Sequence, residues 1–436
     1  MKRLAPRRGF TTLLVIAVVA VGVITVVAIQ ASAFAQAAAG REAVARTRAK
    51  WAARAGIESA IAALEIATRD PETENAFHVM DALGAVGEFT LDRASVTVLS
   101  SVGGQDVIGA VDAHAKLNIN LMTRAELMTL PYMTEDVADA ILDWIDSDDD
   151  TNPLGAEASY YLSREYPYLP RNAPIRHIAE LELIAGVLPE YVRGEDWNLN
   201  GVLDPNENDG DASFPDDNAD GVLDAGWSGI LTAGSTDGGL GLSGEPLLDL
   251  SVADAGEVRS RLNVDQSQAD HLVAYAQSSG ASMATLIRTP LNQIRIQGSS
   301  GAQSQPPALN VDQFRALLDE CTIGAVASGA PGKLNINTCD ARTLEYLPGL
   351  DPAIADAIIF AREGRPAGFA SMADLLEVSS VTRARLAQMH RSIGVRSNAF
   401  VVTSRGRDEA SGVEVEMIAV IDRMTLPVTI TDLRTR

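Results

Sequence analysis

Arg7-Arg8-Gly9-Phe10-Thr11-Thr12-Leu13-Leu14 heads a stretch, Phe10 to Gly40, in which 31 residues pass without an Asp, Glu, Lys or Arg. Most of its first part is Val, Ile, Leu and Ala. A helix needs about 20 such residues to cross the hydrocarbon core of a bilayer. Lys2, Arg3, Arg7 and Arg8 precede the run, so the N-terminus is expected on the cytoplasmic side and the rest of the chain exported. An ordinary signal anchor, or a signal peptide cut near Ala33-Phe34-Ala35, accounts for this much. The helical pattern, however, runs on through 41–69, where Ile57, Ile61 and Leu64 fall on one face. Asp70-Pro71 is the stop, because a residue before proline avoids the helical region. Phe10 to Arg69 therefore reads as one rod of roughly 90 Å, with 10–34 in the membrane and 35–70 beyond it. Gly40 and Gly56 are the places for a bend.

Strands are expected next. Phe89, Leu91, Val96, Val98 and Leu99 alternate with polar residues, Gly103-Gly104 is a two-residue hairpin signal, and 106–112 is the return strand. A clear antiparallel pair comes back only at 399–405 and 413–423, around a turn at 408–412. The economical fold is α+β: a small sheet from 71–115 and 396–436, with a mostly helical domain, 116–395, inserted into it.

Composition limits the function. With 46% hydrophobic residues the chain is not disordered, and a formal charge of −23 opposes a nucleic-acid partner, which needs clustered Lys and Arg. It suits an exported protein or a cation binder. Cys321 and Cys339 are the two cysteines; a disulfide between them and two free buried thiols both stay open. No zinc spacing, phosphate loop, His-Glu-x-x-His or serine elbow is present.

The insert contains an internal repeat. Lys116-Leu-Asn-Ile-Asn120 recurs as Lys333-Leu-Asn-Ile-Asn337, Leu130-Pro131 as Leu347-Pro348, and Val137-Ala-Asp-Ala-Ile141 as Ile354-Ala-Asp-Ala-Ile358. Each copy reads as helix, tight turn, helix, and the second resembles a helix-hairpin-helix (SAM-like) module. Such modules often hold a DNA phosphate on hairpin N–H groups. Here Asp351 stands where a second glycine is expected, and the first copy has Tyr132-Met133 and no glycine, so a helical scaffold is the better reading.

Three acidic loops follow. In 144–157, Asp146, Asp148, Asp149, Asp150 and Glu157 lie within twelve residues, bracketed by Trp144, Ile145, Leu154, Tyr160 and Tyr161. Hard oxygen ligands at this density suit Ca²⁺, with Asp146, Asp148, Asp150 and Glu157 as the expected set. In 196–207, Asp196, Asn198, Asn200, Gly201, Asp204 and Glu207 meet the EF-hand loop pattern at positions 1, 3, 5, 6, 9 and 12, Val202 supplying a backbone carbonyl. Asp216, Asn218, Asp220, Val222 and Asp224 repeat it in 216–227, but Trp227 takes the place of the closing Glu. Residues 194–227 hold ten acidic groups and no basic one.

Gly-Phe after two arginines, at the edge of the apolar run, resembles the start of type IV pilins. With the interrupted sheet, the two helical hairpins, the 144–157 loop, Asn172-x-Pro174 to Glu180-Leu181 and the closing Val420-Ile-Asp-Arg423, the chain resembles the K-type minor pseudopilins of type II secretion systems (GspK). The resemblance spans nearly the whole chain; the two loops in 196–227 look like an addition. It implies a leader, 1–9, cut by the prepilin peptidase between Gly9 and Phe10, with Phe10 then N-methylated. It also implies a pilin-like fold with a calcium-binding periplasmic insert, an inner-membrane stem, and a non-enzymatic role at the pseudopilus tip with other minor pseudopilins and the major pseudopilin. Most pilins carry Glu at the fifth mature position; here Leu14 stands there. Two alternatives of other classes are a membrane-anchored DNA receptor and a minor pilin of an adhesive type IV pilus.

Overall fold

The computed structural model describes residues 8–102, 105–296, 305–327, 329–347 and 349–435. Residues 1–7 of the expected leader, and Gly103-Gly104 of the expected hairpin turn, lie outside them. Helix α1 runs from Arg8–Arg69 without interruption and stops at Asp70-Pro71. Its first part is exposed all round, and its most apolar 18-residue window has no buried residue. From Ala45 onward one face is covered: Ala45, Ala49, Ala53, Ile57, Ala60, Leu64 and Ala67 are buried at four- and three-residue spacing.

That face lies on an antiparallel sheet of β1 (Glu88–Leu91), β2 (Ala94–Val102), β3 (Gln105–Ile108), β4 (Val111–Asp112), β5 (Ala399–Asp408), β6 (Glu414–Asp422) and β7 (Thr429–Thr435). The order is β1-β2-β5-β6-β7, with β3 paired to β2 and β4 to β5. Val98, Phe400, Val402, Met417, Ala419 and Ile421 meet Ile57 and Leu64 in a core that also takes Val79 and Leu83 from the short helix α2 (His78–Ala85). The small residues of α1 set the spacing. A Cβ on Gly406 of β5 would stand 2.0 Å from the Ala49 carbonyl oxygen, and one on Gly56 would stand 2.1 Å from Ser404 Oγ. Gly56 is thus a contact glycine.

Two details differ from the sequence reading. The expected return strand 106–112 is split at Gly109, whose φ of +131° an L side chain rarely adopts, into β3 on β2 and β4 on β5. An edge strand, β7, also follows β6; only alternate residues of it are half-buried, which gave a weak signal.

The insert leaves the sheet after Asp112 and returns at Ala399, and these points are neighbours: Phe400 pairs with Asp112. Asp112 closes the neck. Its buried carboxylate accepts hydrogen bonds from His114 N, Asn335 Nδ2 (3.0 Å), Thr338 Oγ1 (2.5 Å) and Ser397 Oγ (2.5 Å).

Within the insert the repeat is a repeat of structure. Leu117–Asn118 pairs in parallel with Leu231–Thr232, and Leu334–Asn335 with Ile393–Gly394. Asn120 grips both backbone groups of Ile175, and Asn337 both of Phe369, each at 2.7–3.0 Å. Helix Glu135–Ile145 answers to Pro352–Glu363, the 3-10 turn Ile178–Leu183 to Met372–Glu377, and Pro189–Arg193 to Arg383–Met389. Tyr132 takes the left-handed φ of +61° that Gly349 takes at +80°, and its ring stacks on Tyr191. All three acidic loops are therefore additions to the first copy. Cys321 and Cys339 are free and buried, and burial pushes each thiol up to about 12.

Candidate metal centre in the first acidic loop

Helix Glu135–Ile145 buries Val137, Ala138, Ile141 and Trp144 against the insert core, which leaves Asp139 and Asp143 on the side facing the loop that follows. Arg124 neutralises Asp139 at 2.6 Å. Among the described residues Asp143 has no cation partner. One of its oxygens accepts from the backbone and side-chain nitrogens of Asn152 (3.1 and 2.5 Å), and the other, Oδ2, is buried without a partner. Three carboxylates converge there: Asp143, Asp146 and Glu157 each offer an oxygen within 4.8 Å of the others. Asp146 Oδ1 and both oxygens of Glu157 are likewise buried without a hydrogen-bond donor, as is Asn172 Oδ1. Glu157 is only 2% exposed.

An anion cluster of this kind is unfavourable by itself, since buried charge needs a partner. The Glu157 carboxyl accordingly rises to about 7, from burial first and then from Asp143 and Asp146. Burial and the neighbours Asp148 and Asp143 push Asp146 up too. The donor set, all oxygen and mostly carboxylate, fits a hard divalent cation such as Ca²⁺. The cradle is shaped for it: a Cβ at Gly155 would meet Asp143 Oδ2 at 2.0 Å. Beneath it, Trp144 and Tyr161 pack edge to face at 5.2 Å, and Trp144 Nε1 donates to Glu180.

Of the expected ligands, Asp146 and Glu157 are in the cluster. Asp148 and Asp150 are not: both are exposed, and Asp148 Oδ1 accepts the Asp150 N–H. Asp143 was missed by sequence reading; its signal is the spacing to Asp146 across the last helical turn. The aromatic bracket is half right, as Leu154 and Tyr160 remain exposed.

The two later loops share one backbone path. Leu199 and Ala219, at position 4, have φ of +54° and +52°; Gly201 and Gly221, at position 6, have +69° and +81°. Buried Asp196 accepts from Asn200 N and Gly201 N, and Asp204 from the amides of Asn198 and Asn200. Buried Glu207 accepts from Trp197 N and Asp204 N. In the second loop that part falls to Glu195, which accepts from Asn218 N and Asp224 N. Trp227, at the closing position, is instead a fully buried core residue. Asp216, Asp220 and Val222 are exposed.

Residues 101–194, which contain the three-carboxylate cluster, match the family described as type II secretion system (T2SS), protein K. The matched stretch runs from the end of β2 into the opening of the insert. Residues 330–393, beyond that stretch, match the helix-hairpin-helix motif and coincide with the second copy of the repeat. No curated protein matches the chain. A chain of the crystal structure of the GspK-GspI-GspJ complex from the enterotoxigenic Escherichia coli type 2 secretion system is similar over 91% of this chain and 99% of its own. The identity is 16% and the TM-score 0.47.

The raised Glu157 carboxyl sets a pH window. Without metal, a folded-state value near 7 against about 4.5 unfolded means the folded chain holds the extra proton between the two. That contribution to stability is complete below about pH 4.5 and lost as pH rises through about 7. Melts in a chelator should therefore show higher stability at pH 5.5 than at pH 7.5, and Glu157→Gln should flatten the difference. With calcium the sign reverses, because the ion selects the ionised carboxylates.

Proposed function

We propose that the chain is a minor pseudopilin that caps the tip of the type II secretion pseudopilus and helps to start its assembly, for export of folded proteins across the outer membrane. One observation carries the reading: a protein K domain set as an insert in a body of one long apolar-to-amphipathic helix and an antiparallel sheet. Two features support an end position. The insert of about 280 residues would obstruct stacking in mid-filament. Leu14 replaces the carboxylate that in most pilins meets a neighbour's N-terminal amine, and a buried carboxylate without that neighbour would be costly. On this reading the protein is an assembly factor and no enzyme. Its partners are the other minor pseudopilins, the major pseudopilin and the prepilin peptidase, with α1 in the inner membrane and the head in the periplasm.

Calcium belongs to the same proposal. Asp143, Asp146 and Glu157 would hold one ion, whose chemistry is to neutralise the cluster and tie the loop to its helix. The loops 196–207 and 216–227 offer further oxygen-rich sites of a structural kind. Duplex DNA is disfavoured as ligand: at the helix-hairpin-helix motif Asp351 caps the second helix, its Oδ1 accepting the Ile354 N–H that a phosphate would need.

Mass spectrometry of the mature protein tests the assignment. The expected N-terminus is Phe10, N-methylated; a terminus anywhere else would sink it.

A further inference from the structure

A cavity of about 180 Å³ sits at the neck of the insert, between the end of α1, the sheet and the insert itself. Lys333, Arg396 and Arg423 line it. Arg396 donates to the carbonyls of Asn75 and Thr73, and Arg423 to the Ser397 carbonyl and the Thr68 hydroxyl. A guanidinium has five N–H donors and an ammonium three, so donors remain on both arginines and on the lysine. Among the described residues no carboxylate lies within ion-pair distance of any of the three.

The acids that share the cavity make their close contacts elsewhere, and Asp237 and Asp319 act on Lys333 and Arg396 only at longer range. Asp237 accepts from Gly239 N, Asp319 from Ser371 Oγ, and exposed Glu72 faces His78 at 3.6 Å. His78 Nε2 is buried without a partner. His114 is fully used: Asn398 N donates to Nε2, so Nδ1 carries the proton toward the Lys333 carbonyl. Burial, and then Arg396, pull Arg423 down to about 10, and burial pulls Lys333 below its ordinary range. In a chain with 58 acidic residues against 35 basic ones, three cations around one cavity, with carboxylates such as Asp237, Asp319 and Asp422 acting on them only from beyond ion-pair distance, form an arrangement that random placement does not favour.

We propose that this cavity is an oxyanion site, in which Lys333, Arg396 and Arg423 hold a carboxylate, phosphate or sulfate group. Charge-assisted hydrogen bonds from three cations give such a group more than one short contact and relieve the repulsion between the arginines. The bound group would join the end of the stem, the sheet and the insert. It is either a free inorganic ion or an acidic group of a protein partner.

The test uses the full chain in detergent with calcium saturating. Sulfate is titrated in the millimolar range against chloride at matched ionic strength, and the thermal midpoint is read. A saturable rise of roughly 3 °C is expected, with a midpoint concentration at least tenfold higher in Lys333→Met and Lys333→Gln, two variants chosen so that one misfolding leaves the other. A parallel rise in wild type and variants, which is general salting by sulfate, would overturn the site, as would no rise at all. Succinate in place of sulfate separates the sources. Saturation at lower concentration than sulfate supports the site as a receptor for a partner's carboxylate; saturation at higher concentration supports it as a site for a free inorganic ion.

Discussion

Removing calcium with a chelator is expected to lower the thermal midpoint of the intact protein by roughly 5 °C at a free calcium level about 100-fold above Kd, a linkage of about 2.7 kcal/mol per site. The reason lies in the unpaired oxygens. Asp143 Oδ2, Asp146 Oδ1 and both oxygens of Glu157 are buried without a donor, and among the described residues no lysine or arginine pairs with them. Without an ion the loop can relieve itself only by taking up a proton or by opening. Glu157→Gln should abolish most of the response, while Asp148→Asn, at an exposed residue outside the cluster, should leave it nearly unchanged. The double variant Asp196→Ala, Glu207→Ala should remove a separate increment if the EF-hand-like loop is also loaded. Equal melting curves with calcium and with chelator would refute the cation reading at every loop.

Gly406→Ala should be the most damaging single methyl in the body of the protein, at roughly 3 kcal/mol or more. Its Cβ would stand 2.0 Å from the carbonyl oxygen of Ala49 and 2.4 Å from the nitrogen of Ala53. Both are backbone atoms of α1, so neither a rotamer change nor a local adjustment makes room; the helix itself must lift from the sheet. Gly56→Ala is the informative contrast. There the nearest atom is the Ser404 hydroxyl, a side-chain atom that makes no hydrogen bond and can rotate away, and the cost should be smaller. Chemical denaturation of the two variants measures the difference. A Gly406→Ala protein within 1 kcal/mol of wild type would mean that helix and sheet are not in contact as described.

Much of this was legible in the sequence because it rests on periodicity. The stem announced itself by an uncharged run followed by a face at four- and three-residue spacing, and it ended at Asp70-Pro71 as a proline boundary requires. The hairpin of β5 and β6 was read from alternation around a turn. The repeat was visible because Asn120 and Asn337 perform the same task of gripping a distant backbone, which demands the same residue. What escaped depends on position in space. Asp143 looks like one more polar residue on an amphipathic helix until the chain returns with Gly155 and Glu157. Glu195 precedes the 196–207 loop in sequence yet serves the 216–227 loop, because residues 194 and 226 are brought together: a Cβ on Gly194 would lie 2.6 Å from Gly226 N. β7 was missed because an edge strand with one half-exposed face has no strong pattern.

The neck has a mechanical meaning. Chain departs at Asp112 and comes back at Ala399, and the two flanking segments are hydrogen-bonded neighbours on one strand edge. A pull or push applied along the stem therefore enters the sheet through the α1 face and is carried by β2, β5 and β6 in shear. It reaches the insert at the neck, through the clasp around Asp112 and neighbouring contacts such as Thr236 Oγ1 on Asp422 and Ala76 N on the Ala367 carbonyl. The large head rides outside the line of force. It can be heavy, metal-loaded and varied in its loops without weakening the shaft that carries it.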